Sequence, residues 1–300
     1  MPFFLSMSRR LVARWLVAAG LATAACGVRV EPRPAEAPTR IVAMAPSLTE
    51  TLLALDLGDR VVGVTRYCPE VAGTVVVGGY LDPSYETILS LSPDLVVLMQ
   101  SHDELHRRLD ELGLETLRVD QHDIEGILGS IERIADRCGV APRGRRLVAS
   151  LRAELDEVAQ RVAGLERPSA LVVVGREPGG GRVGGIWVAA ADTFYDDVLR
   201  VAGGANAAPV TPIHYPELGR EGLLAVDPEV IFDIIADGGA RAVGLERAAA
   251  DWDDLGDLRA VAAGRVHVLE EDFVVIPGPR IVDTVRAFAV RLHPEVAWRP

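Results

Sequence analysis

The sequence contains no lysine. All 31 of its basic residues are arginine, set against 43 acidic ones for a net charge of −12. No block of arginines is long enough to form a nucleic-acid footprint, which excludes polynucleotide binding. Cysteine is nearly absent. The three present, Cys26, Cys68 and Cys138, cannot build a disulfide framework, although an oxidising compartment leaves Cys68 and Cys138 free to pair. No P-loop, nucleophile elbow, Ser-His-Asp order or zinc-protease signature occurs. Aromatic residues make up only 5% of the chain, so where they fall carries information. What remains is an ordinary globular composition, 49% hydrophobic and 25% charged over 300 residues, with room for one large domain or two smaller ones.

Long apolar runs are also missing. The longest, residues 11–25, is too short to span a bilayer comfortably. Arg9, Arg10 and Arg14 precede or interrupt it, and it closes on Leu21-Ala22-Thr23-Ala24-Ala25-Cys26. Residues 1–25 therefore read as an export signal. The ending resembles a bacterial lipoprotein signal, with Cys26 as the acylated first residue, although Thr23 stands where such signals usually carry Leu. A plain secretory signal cut nearby is the alternative. Residues 26–39, with Pro32, Pro34 and Pro38, read as a flexible tether. Both readings place the protein outside the cytoplasm.

The organising stretch is 142–166. Leu147, Leu151, Leu155, Val158, Val162 and Leu165 form a single helical seam, with charged residues on the other faces. Pro142 suits the start and Gly164 the end. Such a helix is about 35 Å long, and taken alone it is as much a surface helix as a bridge. On both sides strand-like and helix-like segments alternate, which implies βαβ crossovers and mainly parallel sheets. Strands are expected at 40–44, 60–64, 75–79, 95–99, 115–119, 170–174, 186–189, 230–235 and 264–269. Helices are expected at 48–57, capped by Ser47 or Thr49, and at 84–91, 102–112, 124–138, 193–201, 221–226, 251–261 and 280–292. Residues 86–97 and 221–232 share the pattern Glu-x-apolar-Leu-x-apolar-x-Pro-acid-apolar-apolar. This points to an internal duplication, so the fold class is α/β with two Rossmann-like lobes bridged by one long rigid helix. The boundaries are 40–140, 141–167 and 168–300.

Candidate chemistry is sparse. Gly179-Gly180-Gly181-Arg182-Val183-Gly184 matches a dinucleotide-binding fingerprint in letters. However, no helix opens on it and no suitable acid follows, so it reads as a loop at a strand end. His102 and His106 share a helical face and read first as solvated side chains; a metal-dependent enzyme built on the pair is the lesser alternative, and the sequence offers it no third ligand. Tyr67, Tyr80, Trp187 and Tyr215 fall in loops or at strand ends, two in each half. Opposed lobes would let them line a cleft for a large planar ligand, or else they simply lid the core.

Several phrases together are specific to one class: residues 40–50, Val61-Val62-Gly63-Val64-Thr65-Arg66-Tyr67-Cys68-Pro69, residues 78–86, Ser92-Pro93-Asp94-Leu95-Val96, residues 194–204, and Gly278-Pro279-Arg280. Across residues 39–296 the chain resembles substrate-binding proteins of ABC importers, in the class that receives vitamin B12, ferric siderophores and haem. The resemblance implies a monomeric receptor that performs no catalysis and holds no intrinsic cofactor or metal. Its ligand would be a corrinoid or other metal chelate, and its partner an ABC permease with its ATPase. Glu86 and Glu221 match positions that dock onto permease arginines; as isolated residues they could equally be helix-start glutamates. Tyr67, Tyr80, Trp187 and Tyr215 match ligand-contacting aromatics of the vitamin B12 receptors, and Asp272 matches a polar contact. Met99 stands where an aromatic is expected, and Ile276 near where a ligand-facing arginine is expected. Anionic siderophores would call on Arg66, Arg176 or Arg182. The phrases are closest to the corrinoid branch, with ferric siderophore or haem as alternatives.

Overall fold

Short, wholly apolar strands must be covered on both faces, and both halves of the chain do this with helices around a sheet. The computed structural model describes residues 36–235 and 243–298. In the N-terminal lobe, β1 (Ile41–Ala43), β2 (Val61–Val64), β3 (Val75–Val76), β4 (Leu95–Met99) and β5 (Thr116–Val119) form a sheet of order β3-β2-β1-β4-β5. All its pairings are parallel. Alternation along each strand feeds two cores. Ile41, Ala43, Leu95 and Val97 face inward, whereas Val42, Val96 and Leu98 pack under α2 (Tyr85–Ser90) and α3 (Asp103–Glu111).

The C-terminal lobe centres on β6 (Ser169–Gly175), parallel to β10 (Val230–Ile234), which is parallel to β11 (Val266–Leu269). The expectation of a mainly parallel sheet fails on its other side. There β7 (Ile186–Val188) runs antiparallel to β6, and β9 (Glu217–Leu218) antiparallel to β7; the short β8 (Ala205–Asn206) pairs with β6. The cause lies in residues 176–185, a glycine-rich connection with no helix. A parallel neighbour usually needs a longer crossover, most often helical, and this short connection lets β7 return the other way.

Between the lobes lies α5 (Ala141–Arg161), with Pro142 in its first turn. It ends before Leu165, and the chain turns at Gly164, whose φ is +81°. Val148, Leu151, Leu155 and Val158 are buried. They pack against α4 (Ile124–Arg137) of one lobe and against α6 (Phe194–Val201) and α10 (Ile281–Leu292) of the other. One apolar core thus runs from β1 through α5 to β6 and β10. Helix α5 is a bridge embedded in both lobes rather than a free rod. Gly144 makes the close α4–α5 approach possible, since a Cβ there would lie 2.4 Å from that of Ala135.

The duplication seen in the letters is also present in the backbone. Ser92 and Asp227 occupy the same position of the repeat, and both are non-glycine residues at positive φ, +45° and +40°. Two residues on, the acid of each Pro-acid pair clamps the start of its lobe's first strand. Asp94 accepts from the amides of Thr39 (2.8 Å) and Arg40 (2.9 Å). Glu229 accepts from the amide (2.8 Å) and hydroxyl (3.0 Å) of Ser169. The repeat therefore specifies a helix-to-strand joint that anchors each sheet.

Local expectations are corrected in two places. Neither Ser47 nor Thr49 caps α1 (Pro46–Ala54), which has Ala45 as N-cap and Pro46 in its first turn. Proline already removes one orphan donor there. Instead Thr49 Oγ1 donates to the Ala45 carbonyl (3.2 Å) and Ser47 Oγ donates to Gln121 Oε1 (2.6 Å). The helix expected at 251–261 is split into a 3-10 turn at Asp251–Leu255 and a short α9 (Arg259–Ala262), after an unforeseen α8 (Leu245–Ala250). Residues 1–25, Cys26 and most of the tether lie outside the described residues.

Candidate functional site

The C-terminal ends of the parallel strands in both lobes lead to one cavity of about 430 Å³. Pro46 and Tyr67, after β1 and β2, form one wall. The opposite wall comes from the ends of β6 (Val174, Gly175, Arg176) and β10 (Ile234, Ile235) and from the loop after β11 (Asp272, Val275, Ile276). It is largely aliphatic. Tyr67 is 67% exposed and presents its ring to the cavity, with the Arg66 guanidinium 6.0 Å from its centroid. Arg66 bonds Asp82 at 2.6 Å, which joins the Tyr67 loop to the loop carrying Tyr80.

Of the residues singled out in the sequence, Tyr67, Arg176, Asp272 and Ile276 line this cavity. Trp187 lines an adjoining groove of about 590 Å³ with Glu177, Arg182, Glu217 and the glycine-rich loop. Its ring lies against Gly175, where a Cβ would sit 3.5 Å away. Tyr80, Met99 and Tyr215 are outside the cavity lining. Tyr80 is half-buried and tilts against His102, with ring centroids 3.7 Å apart. Met99, at the end of β4, packs on the main core. Burial pushes the Tyr215 phenol upward, and it lies near Tyr195, whose hydroxyl donates to the Val274 carbonyl at 2.8 Å. The sequence alone gives little sign of the aliphatic wall, because strand-end valines and isoleucines read as ordinary core.

Arg176 requires a correction. Its charge suggests a ligand contact, yet its side chain is only 2% exposed and all five of its N–H groups have acceptors inside the C-terminal lobe. Nε and Nη2 donate to Asp233 Oδ2 (2.9 and 2.6 Å), Nη2 also to the Ala248 carbonyl (2.7 Å), and Nη1 to Asp251 Oδ2 (2.7 Å) and the Glu177 carbonyl (3.4 Å). Burial works against the charge, but the bonds to the two aspartates outweigh it and raise the pKa. The same cage explains the G-x-G-x-x-G letters. The amides of Gly179 and Gly181 donate to Asp251 at 2.6 Å each, so the loop cradles a protein carboxylate in place of a phosphate.

A second arginine, not singled out as a charge in the sequence, crosses the lobes. Arg280 Nε and Nη2 donate to the Glu50 carboxylate of α1 at 3.2 and 2.5 Å, and Nη1 donates to Asp272 at 2.8 Å. Nearby, the amide of Ile124 donates to Asp197 across the same junction (3.1 Å). His102 and His106 turn to different partners, Tyr80 and Thr116. Burial depresses the pKa of His102. Among the described residues no cluster of His, Cys, Asp and Glu could hold a metal ion. Cys68 and Cys138 are both free thiols, and burial pushes Cys138 up to about 11. Glu86 and Glu221 are exposed in the first turns of α2 and α7 (Arg220–Val226). Neither has an ion-pair partner among the described residues.

Two α/β lobes, joined by one embedded helix and opposed across a cleft, are the build of a solute-binding clamp. Residues 41–273 match the periplasmic binding protein family model, and the chain belongs to that family. It is 28% identical over 269 residues to an uncharacterised ABC transporter substrate-binding lipoprotein, YvrC of Bacillus subtilis, covering 86% of this chain and 81% of that protein. A vitamin B12-binding protein of Photorhabdus laumondii is 26% identical over 252 residues, covering 82% and 85%. Among solved structures, the haem-binding protein BhuT with two haems superposes with TM-score 0.73 at 27% identity, covering 86% of this chain and 99% of that one. BtuF, the vitamin B12 binder of Vibrio cholerae, gives 0.72 at 25%, covering 86% and 97%. Family and neighbours are solute-binding proteins of transport systems. No described helix is long and apolar enough to cross a membrane.

Proposed function

We propose that the protein is an extracytoplasmic receptor that captures a cobalamin-like corrinoid between its lobes and delivers it to an ABC permease and its ATPase. The observation that carries this reading is the cavity itself, in which an exposed tyrosine ring faces an aliphatic wall across two lobes that share one core. A planar, partly apolar chelate suits that shape. The embedded helix implies small lobe movement on binding. Cys26 would carry the lipid that holds the monomer at the membrane, with residues 26–39 as its tether. Haem is a second reading, favoured by the similarity to BhuT and by the accessible Tyr67 phenol.

Calorimetric titration with cyanocobalamin, haem and a ferric siderophore tests the ligand. No corrinoid binding tighter than about 10 μM, roughly −7 kcal/mol, rejects the first reading. In the same reading Glu86 and Glu221 are the docking charges. Glu86→Arg with Glu221→Arg should then abolish transport while ligand affinity is kept, and a loss of affinity would refute that role.

A further inference from the structure

We propose that Asp272 is the charge filter of the cleft, making it select neutral or cationic chelates over anionic ones, with Arg280 as the residue that positions it. The inference rests on the cleft being a chelate site, but not on which chelate fills it. Among the described residues, the charged side chains that line the cavity are Arg176 and Asp272. They differ sharply in accessibility: the Arg176 side chain is 2% exposed and that of Asp272 is 72% exposed. Arg176 is also outnumbered, by Asp233 and Asp251, so its cage holds one negative charge in excess.

Arg280 is outnumbered in the same way. It is shared between Glu50, 13% exposed on the opposite lobe, and Asp272. Turning its guanidinium toward a ligand would break the bridge to Glu50 that ties the lobes together. The bond from Arg280 keeps Asp272 ionised, its pKa held below the usual carboxylate range. The charge that an entering ligand meets is therefore a carboxylate. Amide N–H groups on a ligand rim could donate to it, whereas carboxylates or catecholates would be repelled. At about 6 Å, with an effective dielectric of about 20 to 40, one such repulsion weakens binding roughly ten- to hundredfold. Among the described residues, the cation in the wall opposite Tyr67 is Arg176, which is held by its own two aspartates and does not offset it.

The test uses two matched ligand pairs with the purified protein. One is cyanocobalamin and its monocarboxylate, in which one amide is hydrolysed. The other is a neutral ferric trihydroxamate and a trianionic ferric tricatecholate. Wild type should favour the neutral member by at least about tenfold. Asp272→Asn should cut that ratio by roughly fivefold or more, and Asp272→Glu, which keeps the charge, should retain it. An unchanged ratio in Asp272→Asn, or equal binding of both members by wild type, overturns the proposal. If neither corrinoid binds but the trihydroxamate is preferred over the tricatecholate, the corrinoid reading fails and the filter stands. If corrinoids bind without charge preference, the reverse holds.

Discussion

Replacing Arg176 with Met separates a structural arginine from a ligand-binding one. In the wild type the guanidinium neutralises part of the charge on Asp233 and Asp251, both 0% exposed, and satisfies two backbone carbonyls. Methionine keeps the stem and removes all five donors, leaving two buried carboxylates without a cation. Breaking a buried pair in this way costs about 3–5 kcal/mol, a large share of the roughly 5–15 kcal/mol that holds a domain together. The melting temperature should fall by about 10 °C or more. The glycine-rich loop should loosen as well, because Asp251 is its anchor through Gly179 and Gly181. Urea unfolding followed by tryptophan fluorescence measures the loss, and hydrogen exchange at residues 179–185 reports the loop. Adding Asp233→Asn to Arg176→Met removes one stranded charge and should recover part of the stability, a non-additive pairing expected of groups in one network. A loss below about 1 kcal/mol, together with weakened ligand binding, would refute the cage and return Arg176 to the ligand.

Three further outcomes follow from the packing. Gly144→Ala places a Cβ against Ala135 at 2.4 Å and should cost about 1–3 kcal/mol by forcing α4 from α5, read by thermal melting. Replacing Ser92, at positive φ, with Gly should stabilise by about 0.5–1 kcal/mol in urea unfolding, whereas Asp227→Gly should gain nothing, because its carboxylate also accepts from the Arg259 amide (2.8 Å) and Nε (3.0 Å). Burial, with Arg291 and Arg265 nearby, pushes His267 down to about 4. Between pH 6.5 and that value the unfolded chain binds a proton that the folded chain refuses, so stability is full above about 7 and falls on acidification toward 4. The loss is about 2 kcal/mol once partial exposure is discounted, and His267→Gln should flatten that part of the pH–stability curve.

Much of the fold was legible because its signals are local. Apolar strands and the Pro-acid joints each lie within a dozen residues, and the α5 seam repeats along one helix. The joints match in conformation as well as in letters, through Ser92 with Asp227 and Asp94 with Glu229. The hidden features depend on distance. Arg176 meets Asp233 and Asp251 across 57 and 75 residues, and Arg280 meets Glu50 across 230; no local pattern announces either pairing. The aromatics were harder still, since loop geometry and not periodicity decides where a ring points. Hence Tyr67 reaches the cavity while Tyr80 lies on His102. Strand β7 lies where the sequence places a strand, but its antiparallel direction depends on the path of the glycine-rich connection before it, which no local pattern fixes.

The most direct test of the clamp is a titration of wild type, Tyr67→Ala and Trp187→Ala with cyanocobalamin under identical conditions. Binding of one ligand per chain is expected, with Tyr67→Ala weakened at least about tenfold by loss of a buried ring contact at the cavity wall. Trp187→Ala, in the adjoining groove, should lose less. Full-affinity binding by Tyr67→Ala, with wild-type stability, would place the ligand elsewhere and contradict capture between the lobes.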